Sequence, residues 1–121
     1  MRKLFLAAFC AAVTPFIAMA EPSYLIGQIQ VDDWDAFMND YGSAAAPSLM
    51  EFQGKVLVGG PGATVIEGDW TGNHTVVIEF ADMETANAWY NSATYAEARP
   101  LRFANTSLNN IVFANGFSMP E

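Results

Sequence analysis

The sequence predicts an α+β fold, a four-stranded antiparallel sheet with helices on one face, from three observations. Residues 24–31 and 74–80 alternate side-chain character with the period of a strand. Each is followed by an acidic capping residue, at Asp32-Asp33 and Asp82, and then by apolar residues at helical spacing. The chain has 121 residues, room for one domain, and its 52% apolar and 13% aromatic content excludes a disordered polymer.

Residues 24–31 place Leu25, Ile29 and Val31 on one face and Tyr24, Ile26, Gln28 and Gln30 on the other. After the Asp cap, Trp34, Phe37, Met38 and Tyr41 fall at i, i+3, i+4 and i+7, one apolar stripe of a helix. Gly42-Ser43 loosens it, and Pro47 suits the first turn of a second segment ending near Phe52, with Gly54 as its stop. Residues 55–59 read as a short strand, 59–62 (Gly-Gly-Pro-Gly) as a turn, and 63–70 as a returning strand or edge ribbon. Residues 74–80 are the clearest strand. In the helix after Asp82, Met83, Ala86, Trp89 and Tyr90 form the buried stripe. Ser92 caps a further helix through Arg99, which Pro100 kinks or restarts toward Ser107, and residues 109–117 make the last strand. The order strand, helix, strand, strand, helix, strand is the split βαβ arrangement of ferredoxin-like folds.

Residues 1–20 stand apart. A basic start (Arg2, Lys3), an apolar run from Leu4 to Ile17 and a small-residue end, Ala18-Met19-Ala20, make the three-part layout of a secretory signal peptide, with cleavage expected after Ala20. The run falls short of the roughly 20 residues of a spanning helix, and Pro15 interrupts it. A periplasmic or secreted protein is therefore expected, with no membrane association after cleavage. The whole chain carries 13 acidic and 5 basic side chains, a net charge of −8, and one Cys. Losing Arg2, Lys3 and Cys10 leaves a 101-residue domain, residues 21–121, of charge −10 without a cysteine. Such acidity argues against nucleic acid, whose phosphates need Lys and Arg. The only cations left are Lys55, Arg99 and Arg102.

With helices on one face of the sheet, the other carries Tyr24, Ile26, Thr75, Val77 and Glu79, too apolar to leave to water. A second subunit is the simplest cover, so a homodimer is expected.

The stretch Glu67-Gly68-Asp69-Trp70, then Val76-Val77-Ile78-Glu79-Phe80, then Ala86, Trp89-Tyr90-Asn91-Ser92, Tyr95, Arg99 and Arg102 resembles the DUF1330 family over nearly all of residues 24–117. The resemblance implies a ferredoxin-like protomer whose sheet packs on its mate's to close a dimeric α/β barrel. The wider superfamily holds cofactor-free monooxygenases, haem-degrading and haem-peroxidase enzymes, lyases, isomerases and ligand-binding modules, so the resemblance implies a shape more than a reaction. Here Gln53-Gly54-Lys55, Val58 and His74 stand where members often carry Gly-Gly-Arg, a basic residue and an Arg; if those basic groups bind an anionic ligand in the family, the resemblance implies a less charged ligand here, or none.

Glu79 lies mid-strand on the barrel-facing side, where desolvation would raise its pKa toward that of a general base; the competing reading is an ion pair with Arg99 or Arg102. The two arginines, three apart, share a face on a continuous helix and would clamp a carboxylate or enolate, or else pair with Glu79, Glu97 or Asp69. His74, the only His, is a candidate acid/base group or an exposed strand-start residue. Tyr24, Gln28 and Tyr95 are candidate ligand contacts, whereas Trp89 and Trp70 read as core or dimer packing. No metal site is expected, because one His beside Glu67 and Asp69 makes a weak ligand set. Residues 59–62 lack the Gly-Lys-Ser/Thr of a phosphate loop and read as a hairpin turn, and no cofactor is expected. The expected function is binding of a small organic acid or aromatic molecule in a dimeric barrel. The alternative is a cofactor-free lyase, isomerase or oxygenase with Glu79 as base and Arg99/Arg102 as anion clamp.

Overall fold

The computed structural model describes residues 21–120, so the expected signal at 1–20 lies outside the described residues. Strand β1 (Ser23–Val31) runs into one helical rod, α1, over residues 34–51, built of an α-turn (Trp34–Ala36), a π-helical stretch (Phe37–Gly42) and an α-helix (Ser43–Glu51). Strands β2 (Lys55–Val58) and β3 (His74–Phe80) follow, then α2 (Met83–Tyr90), α3 (Ala93–Ala104) and β4 (Thr106–Asn115). The sheet order is β2-β3-β1-β4 with every pairing antiparallel, as the split βαβ reading requires. Among the described residues no helix is long and apolar enough to cross a membrane.

The period-2 pattern of β1 is realised: Ser23, Leu25, Gly27, Ile29 and Val31 are buried under the helices, and the residues between them are half-buried on the open face. The register puts His74, Val76, Ile78 and Phe80 on the helix side, and Thr75, Val77 and Glu79 on the open side. Between sheet and helices, Leu25, Ile78 and Phe80 pack with Ala45 of α1, Ala86 and Trp89 of α2, and Tyr95 and Ala98 of α3. The indole of Trp89 donates to Ser48 Oγ at 2.9 Å, and Ser48 donates to the Ala45 carbonyl at 2.6 Å, so both buried polar groups are satisfied.

Three element expectations are corrected. Residues 34–51 form one rod rather than two helices, and Met38 is 48% exposed instead of buried. A π-stretch has more residues per turn than the 3.6 that placed Met38 on the stripe. Residues 63–70 are not a strand, and only an isolated bridge, Pro61 to His74, forms nearby. Gly60, Gly62, Gly68 and Gly72 all adopt positive φ, which interrupts an extended ladder. Helix α3 runs through Pro100 to Ala104, and β4 begins at Thr106 instead of 109.

The loop before β3 is tied to β1 by Asn73. Its side chain accepts from Val31 N at 2.7 Å and donates to Val31 O at 2.9 Å, and its backbone N donates to Ile29 O at 3.0 Å. Gly72 precedes it at φ 88°, with its Cα so near β1 that an added Cβ would lie 2.6 Å from Ile29 O.

Candidate functional site

The expected site residues fall on two sides of the sheet. On the open face, Glu79 and Tyr24 stand opposite each other on β3 and β1, and the Tyr24 hydroxyl donates to Glu79 Oε2 at 3.0 Å. Because the phenol gives its proton to a carboxylate, its pKa is raised above the ordinary tyrosine value, the hydrogen bond to Glu79 being the largest cause. Lys55 of β2 faces Glu79 from the other side in register. Pro22, Gln53, Lys55, Glu79, Phe80 and Ala81 line a cleft of about 340 Å³ here. Ile26, Val77 and Val112 continue the face as an apolar row across three strands.

Gln28 lies further along the open face, where its Oε1 accepts from Thr71 Oγ1 at 2.8 Å. Trp70, from the same loop, donates from Nε1 to Thr75 Oγ1 at 3.0 Å. The 59–73 loop thus reaches over this end of the sheet. Trp70 is 44% exposed, so of the two expected roles, core or dimer packing, it does not fill the first within the protomer.

On the helix side, Tyr95 is buried against Trp89, with ring centroids 4.0 Å apart. Its hydroxyl is 2.7 Å from that of Tyr41, in the π-stretch of α1, and accepts from Arg102 Nε at 3.3 Å. Burial, reinforced by the neighbouring Tyr95 hydroxyl, pushes the Tyr41 phenol far above its ordinary pKa, with the charge of Arg102 opposing in part. Arg102 is 2% exposed and donates from Nη1 to Asn109 Oδ1 at 2.6 Å. Arg99 turns away toward α2, where it donates to the Tyr90 carbonyl and lies 4.3 Å over the Tyr90 ring.

The expected combination of Glu79 with an Arg99/Arg102 clamp is therefore not assembled within the protomer. Glu79 points to the open face, and the arginines occupy the helix layer behind the sheet. The competing ion pairs, with Glu79, Glu97 or Asp69, are not among the contacts the two arginines make with the described residues. Nor do the arginines form one fork, since neighbouring groups draw their guanidinium ends to different elements.

His74 is also placed apart from Glu79, five residues along β3 and on the other face, roughly 17 Å at about 3.4 Å per residue. It is half-buried instead of exposed, edge-on to Trp34 and Phe37 at 5.2 and 5.5 Å. Its Nδ1 lies 3.0 Å from the Gly60 carbonyl, so the ring fastens the glycine-rich turn to the sheet. Tyr41, Lys55, Thr71 and Asn109 were not singled out as site residues, because a side chain's neighbours across a sheet or between layers depend on register and helix placement.

Comparison with known proteins places this geometry among known folds. A protein of unknown function from Rhodopseudomonas palustris is 15% identical, with 95% of this chain and 94% of that chain covered and a TM-score of 0.68. A dimeric protein of unknown function with a ferredoxin-like fold from Bacteroides fragilis is 12% identical, with 82% and 100% covered and a TM-score of 0.54. SnoaB, a cofactor-independent oxygenase from Streptomyces nogalater, is 12% identical, with 84% and 100% covered and a TM-score of 0.58. At such identities the likeness is one of fold. No curated protein matches the chain. The model of a domain of unknown function, DUF1330, matches residues 22–117, nearly all of the described chain, and the protein belongs to that family.

Proposed function

We propose that the protein is an exported homodimer that binds a small organic molecule between the open faces of its two sheets. The observation that carries this reading is the composition of that face. An apolar row, Ile26, Val77 and Val112, ends in a polar group made of Tyr24, Glu79 and Lys55 beside a cleft of about 340 Å³. Apolar floors with a few convergent polar groups are the usual composition of small-molecule sites. In this reading Glu79 and Tyr24 accept and donate to the ligand's polar end, and Lys55 supplies the cation that the arginines, turned to the helix side, do not. The dimeric ferredoxin-like relative is in keeping with the assembly.

Thermal-shift screening of the purified protein against small aromatic and hydroxylated acids tests the reading. We expect at least one compound to raise the melting temperature, and Glu79→Gln to reduce that shift. A panel without effect at millimolar concentration overturns it. Export is tested by N-terminal sequencing of the protein from the periplasmic fraction, where Glu21 is the expected first residue.

A second reading is favoured by the Tyr24–Glu79 hydrogen bond, since a phenol paired with a carboxylate can pass a proton. In that reading the site performs cofactor-free proton transfer, with Glu79 as base and Lys55 steadying the oxyanion; SnoaB, of similar fold, is a cofactor-independent oxygenase. Turnover of a bound compound that Glu79→Gln abolishes without loss of binding would establish it over simple binding.

A further inference from the structure

On the far side of the sheet from Glu79, the edge strand β4 and helices α2 and α3 enclose two adjoining clefts. One, of about 210 Å³, is lined by Tyr90, Arg102, Phe103, Asn109 and Ile111. The next, of about 150 Å³, shares Tyr90 and Ile111 and extends to Val112 and Phe113 along β4. Together they make a groove with a cation at one end and aromatic and aliphatic walls at the other.

Arg102 is the unusual group. It is 2% exposed, yet its hydrogen-bond partners, Tyr95 Oη and Asn109 Oδ1, are both neutral. Buried charges are ordinarily paired, since an uncompensated ion in the interior is costly. A guanidinium carries five N–H donors in a planar fork suited to a carboxylate, and the bonds to Tyr95 and Asn109 use two of them.

The fork is also held in place. Asn109, which accepts from Nη1, donates to Thr106 Oγ1 at 2.8 Å, and Thr106 in turn donates to the Arg102 carbonyl at 2.8 Å, closing a ring of hydrogen bonds. On the other side Nε is fixed by Tyr95, itself bonded to Tyr41 in the π-stretch. π-stretches recur at functional sites, and this one delivers Tyr41 to the Arg102 cluster. A second cation lies nearby: Arg99 covers Tyr90, and its Nε is buried with no partner among the described residues.

We propose that this groove is a second binding site, specific for a small aromatic carboxylate. The carboxylate pairs with Arg102, and the ring lies against Tyr90, Ile111 and Phe113. Its charged end, at Arg102 and Asn109, lies on the helix side within one protomer, and only Val112 at the far end is shared with the open face.

Isothermal titration of the purified protein with sodium benzoate, with benzamide as the neutral isostere, tests the proposal. We expect saturable benzoate binding at millimolar concentration or below, and about tenfold or more weaker binding of benzamide. Arg102→Lys, which keeps the charge but loses the fork, should weaken benzoate by about tenfold. Asn109→Asp gives Arg102 an internal carboxylate; it should abolish benzoate binding while leaving the unfolding midpoint unchanged or higher, and it carries the test if the Arg102 variant fails to fold. Equal binding of benzamide, binding retained in Asn109→Asp, or no benzoate binding each overturns the assignment.

Discussion

Single residues here do work that their neighbours across the sheet define. Glu79 is read from its strand as an open-face carboxylate, and so it is, but its partner is Tyr24 and not an arginine. The raised Tyr24 pKa gives a test with a definite sign. A phenol whose folded pKa lies above its unfolded value contributes stability below the unfolded value, near pH 10, and loses it as pH rises through the folded value. We expect ultraviolet absorbance titration to show Tyr24 ionising late, as the buried Tyr41 also does, and Glu79→Gln to bring Tyr24 alone back toward the ordinary range. An unchanged titration would refute the pairing. Gly72 gives a second test. Its φ is 88°, and a Cβ added there would meet Ile29 O at 2.6 Å, so Gly72→Ala should destabilise by at least about 2 kcal/mol in urea unfolding. Gly60→Ala, at positive φ but with nothing nearby, should cost less. Equal losses would show that close approach to β1 is unimportant.

At the scale of elements, capping and alternation were legible and helix register was not. Asp33, Asp82 and Ser92 each accept a backbone hydrogen bond three residues on, as their positions before the helices predict. Ser92→Ala should therefore cost about 1 kcal/mol, measured by chemical denaturation. Asp82, held below the usual carboxylate range by its bonds from Thr85, strengthens its helix at neutral pH and loses that contribution on acidification. The π-stretch of α1 was not foreseeable from a 3.6-residue period, and its consequence is concrete: Met38 turns outward while the Phe37 and Tyr41 rings pack tilted at 43°, with centroids 5.1 Å apart. Pro100 is expected to kink or restart its helix because a proline removes one helical donor, but α3 runs through it from Ala93 to Ala104, burying its own Tyr95, Ala98 and Arg102. The core junction of α1 and α2 depends on Trp89 reaching Ser48, so Trp89→Phe should cost about 1–3 kcal/mol through the lost hydrogen bond and the cavity.

At the scale of the molecule, the four-stranded sheet has one face under helices and one open, and Val112 on the open face is 57% exposed. If a second copy covers that face, Val112→Lys should convert dimer to monomer in light scattering while leaving the circular dichroism spectrum unchanged. A parent that is monomeric at micromolar concentration would refute the dimer. The exposed Val65, Ile66 and Trp70 of the 59–73 loop and Phe117 near the C-terminal end add apolar surface beyond the sheet itself.

Strand and helix order, the caps, and which side chains of β1 and β3 share a face could all be read from the residues alone, because alternation and capping are local properties of the chain. Which functional groups meet is instead a matter of tertiary packing. Glu79 and the arginines are compatible in type, but a sheet lies between them, and side-chain direction from α3 depends on how that helix packs. The same packing buries Arg102 among neutral partners. The chain's scarce cations were legible as the groups to watch; that Lys55 serves one face and Arg102 the other follows from the sheet order and the helix layer, which join residues distant in sequence.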